Sequence, residues 1–184
     1  MIRIDRVITR GGDGGETSLG SGERVPKDSP RIEAIGAVDE ANSTIGLVRL
    51  HTADDTELDA ILARAQNDLF DIGADLSVPG TGGDRLRVPA TMAERLDQAA
   101  TALNAELTPL TSFVLPGGSA GSAHAHLART VVRRAERRVV RLAREEDVNP
   151  EIIRALNRLS DLLFIASRRL NANGAGDVLW KPGG

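Results

Sequence analysis

Leu127-Ala-Arg-Thr-Val-Val-Arg-Arg-Ala-Glu-Arg-Arg-Val-Val-Arg-Leu142 is the stretch whose period decides the fold. Leu127, Val131, Val132, Ala135, Val139 and Leu142 recur at spacings of three and four, the apolar stripe of a helix with one face in a core. Six of the ten remaining positions are arginine, Arg129, Arg133, Arg134, Arg137, Arg138 and Arg141, with Arg144 just beyond. Arg129, Arg133 and Arg137 stack at four-residue steps, and Glu136 falls one turn after Arg133 on nearly the same face. The pattern predicts a helix over about 119–146.

The same period recurs on both sides. Pro30 opens a helix to about Leu50, with Ile32, Ile35, Val38, Ala41, Ile45 and Val48 as its stripe. Asp54-x-x-Glu57 starts a second, carrying Leu58, Ile61, Leu62, Ala65, Leu69, Ile72 and Leu76. The capping box Thr91-x-x-Glu94 starts a third, extending to about Leu107, and Asn149-Pro150-Glu151 caps a last one to about Asn171. Five helices with short links predict an all-α helical bundle. The chain has 184 residues, and within it three Phe, one Trp and no Tyr. Such a core must be built from Leu, Ile, Val and Ala, which favours packed helices over a β-sandwich. One domain over 1–184 is expected: a Gly-rich segment 1–27, a bundle 28–172 and a tail 173–184 ending near Trp180. Residues 77–90 form a Gly/Pro loop expected to be mobile, and 1–27 are expected to lack regular structure until an anion orders them.

Composition excludes several chemistries. There is no Cys, hence no disulfide, thiolate nucleophile or Cys-ligated metal. No apolar run reaches membrane-spanning length and no signal-like N-terminus is present, so a cytoplasmic protein without membrane contact is expected. Neither a P-loop nor a G-x-G-x-x-G occurs. None of His51, His124 and His126 has Glu three residues before it, so the di-iron bundle pattern is absent. With three histidines, His124 and His126 at a helix start, proton-transfer catalysis has little support.

What remains suits anions. Thr9-Arg-Gly-Gly-Asp-Gly-Gly-Glu-Thr-Ser18 lets backbone N–H groups converge on a phosphate, with hydroxyls from Thr17 and Ser18. Lys27 and Lys181 are the only lysines among 23 basic residues, and Lys27 lies just before the first helix. The arginines of 129–144 add a third cationic element. Asn157, Ser160, Asp161 and Arg168 lie close to the apolar face of the last helix, where polar groups need partners; the arginines of the preceding helix could serve. Three readings of this inventory stand: a nucleotide-using enzyme, an Arg-rich nucleic-acid-binding bundle, and a structural bundle. The net charge of −3 and the few aromatics weigh against nucleic acid.

Four ordered blocks are more specific. Thr9–Leu19 followed by Arg31-Ile-Glu-Ala-Ile-Gly-Ala-Val-Asp-Glu40 resembles the N-terminal signature of PduO-type ATP:cob(I)alamin adenosyltransferases. Phe113-Val-Leu-Pro-Gly-Gly118, Ala128–Arg137 and Leu156-Asn-Arg-Leu-Ser-Asp-Leu-Leu-Phe164 are similar to that family's next three blocks. Gly11 stands where the family often has Thr, one hydroxyl fewer in the loop. The resemblance implies a ferritin-like five-helix bundle with a Gly-rich N-terminal nucleotide-binding segment. It implies transfer of the 5′-deoxyadenosyl group of ATP to the cobalt of reduced cobalamin, in a homotrimer with ATP between subunits. By matching motif, Thr9, Arg10, Gly11, Gly12, Thr17, Ser18 and Lys27 would contact ATP from one subunit, and Arg133, Arg134, Glu136, Arg137 and Asn157 from its neighbour. Arg133 and Phe113 would be the catalytic residues, Phe113 against the lower face of the corrin. Asp39 and Arg129 would pair across the interface, and Mg²⁺ would be held through ATP phosphates. A corrinoid reductase and an adenosylcobalamin-dependent enzyme would be its functional partners.

Overall fold

The computed structural model describes residues 8–80, 82 and 84–184. Its elements, in chain order, are strands β1 (Glu16–Ser18) and β2 (Arg24–Pro26), then helices α1 (Pro30–Arg49), α2 (Thr56–Leu76), α3 (Ala90–Asn104), α4 (Ala120–Leu142) and α5 (Pro150–Arg169). The expected five-helix bundle is what forms. α1 packs on α4 and α2, and α5 packs on α4 and α3. Arg95 of α3 reaches across to Asp68 of α2 at 2.7 Å, joining the two ends of that series. Val38, Ile45, Leu62, Leu69, Val132, Val139, Leu156 and Leu163 are among the core residues, and neither Phe nor Trp is buried there among the described residues.

The helix starts follow local chemistry. Ser29, with Pro30 behind it, accepts from the Ile32 amide, and Ser119 accepts from Ser122 at 3.1 Å. Asn149 accepts from Glu151 at 3.1 Å, as the sequence predicts. Two starts differ from expectation. Asp55, not Asp54, caps α2, accepting from Leu58 at 3.0 Å. α3 has no side-chain cap: Pro89 occupies the cap position, so Thr91 is already inside the first turn and the Thr91/Glu94 box is unused. α3 ends at Asn104 rather than Leu107, and α4 at Leu142 rather than 146.

The stripe of α4 is also rotated. Leu127 is 47% exposed, whereas His126 is 2% exposed. On a helix adjacent positions differ by about 100°, so a stripe drawn one position off at its end turns an apolar residue outward.

The N-terminal segment is not structureless. Its described part forms an antiparallel hairpin pairing Thr17 with Val25, and Leu19 is buried beneath it. The Gly20 amide then donates to the Ser77 carbonyl at the end of α2 at 2.9 Å. Residues 1–7 of that expectation lie outside the described residues. The loop after α2 is pinned at its far end. Buried Asp75 accepts from Arg87 at 2.7 Å, the Val88 amide at 2.8 Å and Asn149 at 2.8 Å. Its residues 81 and 83 lie outside the described set.

The tail folds back rather than trailing away. Arg168, buried at the end of α5, binds Asp177 at 2.6 Å. Beyond it, Val114 bridges Leu179, Leu115 N–H donates to the Val178 carbonyl at 2.8 Å, and Trp180 N–H donates to the Phe113 carbonyl at 2.8 Å. Gly118, at φ +91°, leaves no room for a Cβ against the Asn171 side chain. Asn171 in turn accepts from the Ser119 amide at 3.1 Å and donates to Asp177 at 3.2 Å. The Pro116-Gly-Gly turn, the α4 start and the tail are thus one unit.

Candidate active site

The first candidate element is the loop before α1. The Lys27 amide donates to the Gly15 carbonyl at 2.9 Å, and Arg24 reaches the Gly11 carbonyl at 2.8 Å, closing Gly11–Gly15 into a ring of turns. Arg10 takes a left-handed conformation, φ 59°. Gly12 lies under the end of the Lys27 side chain: a Cβ there would stand 2.8 Å from Lys27 Nζ and push the ammonium aside. Thr9, Arg10, Gly11 and Ser18 are exposed, with Gly12 and Thr17 half-buried. The arrangement places a cation over a run of flexible backbone, the constellation that binds phosphate oxygens. Thr17 and Ser18 also edge a groove of about 550 Å³ between α1 and α2, with Ile35, Asp39, Leu69 and Phe70 along it.

The second element is on another face. Arg129 and Arg133 of α4, Asp161 and Phe164 of α5, and Asp97 and Thr101 of α3 line an open cavity of about 400 Å³. It shares no residue with the α1/α2 groove. Arg129 is half-buried and its Nε has no hydrogen-bond partner. Burial, and then the neighbouring Arg133 charge, push its pKa down. Asp97 and Asp161 line the same cavity, Asp97 paired with Arg158, and among the described residues neither Arg129 nor Arg133 makes an ion pair; two such like charges one turn apart are suited to an anion shared between them.

The Arg-rich block divides between faces. Arg134 turns to α1 and pairs with Glu40, and Arg138 lies 3.5 Å from Glu33. Arg141 pairs with Glu145 of its own chain at 3.6 Å. Arg137 is exposed and donates to the Arg133 carbonyl at 3.1 Å. Asn157 donates to Glu136 at 3.1 Å and accepts from Arg158 at 2.9 Å. Of the candidates on α4 and α5, then, Arg129 and Arg133 line the cavity, Glu136 and Asn157 form a pair nearby, and Arg134 faces elsewhere. The polar residues of α5 also depart from expectation. Ser160 donates to its own helix at Asn157, and Arg168 pairs with Asp177, not with α4 groups.

The third element adjoins the second. Phe113 is 77% exposed and meets the Trp180 indole edge-on, centroids 6.0 Å apart. Both line an apolar cavity of about 780 Å³, together with Leu110, Val114, Arg129 and Phe164. Arg129 and Phe164 therefore face both cavities. Trp180 and Phe164 were not among the residues picked as site candidates from sequence. The signal for Trp180 was its being the single Trp of an aromatic-poor chain, set in a Gly/Pro tail.

Asp39 is exposed on the α1/α2 groove, and among the described residues no ion pair joins it to Arg129 within the chain. No three His, Asp or Glu side chains converge to hold a metal among the described residues. No described helix is long and apolar enough to cross a membrane.

The sequence matches the cobalamin adenosyltransferase family over residues 7–170. The chain belongs to that family. It is 47% identical over 180 residues to a cobalamin adenosyltransferase of Cupriavidus metallidurans, covering 97% of this chain and 96% of that one. It is 47% identical over 188 residues to a corrinoid adenosyltransferase of Mycobacterium tuberculosis, covering 100% and 96%. Among solved structures, a phenylalanine-to-alanine variant of a PduO-type ATP:corrinoid adenosyltransferase from Lactobacillus reuteri, complexed with cobalamin and ATP, superposes with a TM-score of 0.87. That pair is 32% identical, covering 96% of this chain and 99% of the other. Membership of the adenosyltransferase family removes the nucleic-acid and structural-bundle readings. The geometry gives the physical reason: Arg134, Arg138 and Arg141 are matched by carboxylates instead of forming an open basic face.

Proposed function

We propose that this adenosyltransferase moves the 5′-deoxyadenosyl group of ATP onto the cobalt of a reduced corrinoid at a site completed by two copies of the chain, in a homotrimer in the cytoplasm. The observation that carries this is the separation of the two anion-binding elements. The Gly11–Lys27 loop sits at the α1/α2 groove, while Arg129 and Arg133 line a cavity bounded by α3, α4 and α5. A nucleotide touching both sets needs the loop of one protomer and the α4 arginines of its partner. Asp39 beside the loop and the partnerless Nε of Arg129 would meet at the same junction.

The division of labour follows from the residues. Thr9, Arg10, Gly11, Gly12, Thr17, Ser18 and Lys27 bind the phosphates, and Arg133, Arg137, Glu136 and Asn157 close on the nucleotide from the partner. The Arg134–Glu40 pair leaves this cavity within one chain, so Arg134 reaches ATP only by exchanging that partner. Phe113 lies against the lower face of the corrin and excludes a lower ligand from the cobalt. The described residues form no divalent-metal cage, so Mg²⁺ would be held by phosphate oxygens.

Cobalt(I) supplies its own electron pair. It attacks the ribose 5′ carbon, the bond from that carbon to oxygen breaks, and the electron pair leaves on triphosphate. No proton has to be removed, so the site needs alignment and positive charge but no general base. Release of inorganic triphosphate from ATP, dependent on added cob(I)alamin and matched by adenosylcobalamin formed, tests the activity. Light scattering on the same sample tests the trimer. ATP turnover without corrinoid, or none with it, would refute the proposal.

A further inference from the structure

The cavity lined by Arg133 and Asp161 adjoins the cavity lined by Phe113 and Trp180. Among the described residues two line both and form the partition between them, Arg129 of α4 and Phe164 of α5. His126 stands behind them. It precedes Arg129 by one turn on the same helix face, is 2% exposed, and meets the Phe164 ring edge-on with centroids 6.1 Å apart. Its Nδ1 is buried without a hydrogen-bond partner. A buried nitrogen left unpaired is a cost to folding that an apolar side chain of the same shape would not carry. Burial, and then the Arg129 charge, lower the imidazole pKa and favour the neutral ring, while Asp177 acts in the opposite direction. A neutral ring can pack beside a guanidinium without repelling it.

We propose that His126 is a positioning residue whose ring holds Phe164, and with it Arg129, as the partition that keeps the corrinoid aligned with the triphosphate end of ATP. The inference rests on the proposed adenosyltransferase reaction and adds a residue that touches neither substrate. Arg129 also borders the cavity proposed to receive ATP, but ATP keeps the Gly11–Lys27 loop and Arg133, so a loosened partition should weaken the corrinoid side more than the ATP side.

The test compares wild type with His126→Asn, which keeps polarity and loses the ring, and His126→Phe, which keeps a ring and loses the nitrogens. Trp180, the single tryptophan, lines the apolar cavity, so quenching of its emission by hydroxocobalamin reports corrinoid binding separately from turnover. His126→Asn should raise the corrinoid KM about tenfold, the order expected for a lost aromatic edge contact, with the ATP KM raised by a clearly smaller factor, about threefold or less. His126→Phe should restore the wild-type corrinoid KM. A folded His126→Asn with wild-type corrinoid KM, or with both KM values raised equally, overturns the proposal. So does a His126→Phe variant as impaired as His126→Asn. If His126→Asn does not fold, His126→Leu, which keeps an apolar volume and loses the ring, takes its place: a raised corrinoid KM upholds the proposal and a wild-type one overturns it. A wild-type protein that shows neither quenching nor corrinoid-dependent triphosphate release refutes the proposed function itself, a result separable from all of these.

Discussion

Replacing Asp177 by Asn should open the C-terminal tail without unfolding the bundle. Asp177 and Arg168 are 3% and 5% exposed at their side chains and 2.6 Å apart, so the substitution leaves a buried guanidinium without its counter-charge. Breaking a buried pair from one side costs about 3–5 kcal/mol. Arg168 keeps the Thr108 carbonyl at 2.7 Å, and an Asn carbonyl can still accept a hydrogen bond, which favours the lower end of that range. The tail's remaining attachment near Phe113 is the edge-on Phe113–Trp180 ring contact and the Leu115–Val178, Trp180–Phe113 and Ser112–Trp180 hydrogen bonds. At a net ~0.5–1.5 kcal/mol each, these are worth about as much as the loss. Detachment therefore competes with holding the tail on a mutilated anchor. The assay is amide hydrogen exchange at Leu115 and Trp180, whose N–H groups donate across this junction, alongside thermal melting. Exchange at those two amides should rise strongly while the α1, α2, α4 and α5 core keeps wild-type protection. Because the opening is local, the melting temperature should fall by less than the 6–12 °C that about 3 kcal/mol removed from the whole cooperative unit would give. Unchanged protection at Leu115 and Trp180 would show that the tail is held by something other than this pair.

Arg133→Ala should lower kcat/KM about 10- to 150-fold, the loss of one charge-assisted bond of about 1.5–3 kcal/mol, and Arg133→Lys should remain impaired for want of the planar fork; steady-state kinetics on assembled protein checks both. Asp39→Asn should weaken the trimer or ATP affinity, and exchanging the charges at Asp39 and Arg129 should partly restore it, as read by scattering and kinetics. Hydrogen bonds from Arg49 and then Thr52 hold the Asp59 carboxyl at about 2 in the folded chain. That lies below the unfolded value of about 3.9, so this contribution is complete above about pH 4 and is lost as pH falls toward 2. Urea midpoints measured across that interval should fall more steeply for wild type than for Asp59→Asn.

The helical architecture was legible because each element declares itself within its own length. Ser29-Pro30 and Asn149-Pro150 mark starts, and Val131, Val132, Ala135, Val139 and Leu142 keep one face. Errors fell where the period is ambiguous or the partner is remote. Leu127 and His126 are adjacent, both fit the end of the α4 stripe, and only the position of Phe164 on α5 selects the imidazole for burial. The Thr91/Glu94 box is a sound local signal overridden because Asp75 and Asn149 fix Val88, which places Pro89 at the helix start.

The candidate site divides the same way. Gly12 and Lys27, proposed as parts of one anion cradle, are brought together by a turn and hairpin that the glycines of the segment did not announce. That Arg133 and Arg134, adjacent in sequence, serve opposite faces follows from a 100° rotation, yet which one meets the cavity depends on Glu40 lying across on α1. Trp180 reaches Phe113 only through Arg168, Asn171 and Asp177, a chain of contacts in which no single residue type announces the destination. The sequence is most opaque where the chemistry is closest. Arg129 and Phe164 line two cavities at once, and the loop proposed to complete the first of these lies on another face of the same chain, which is why the proposed site would draw it from a neighbour.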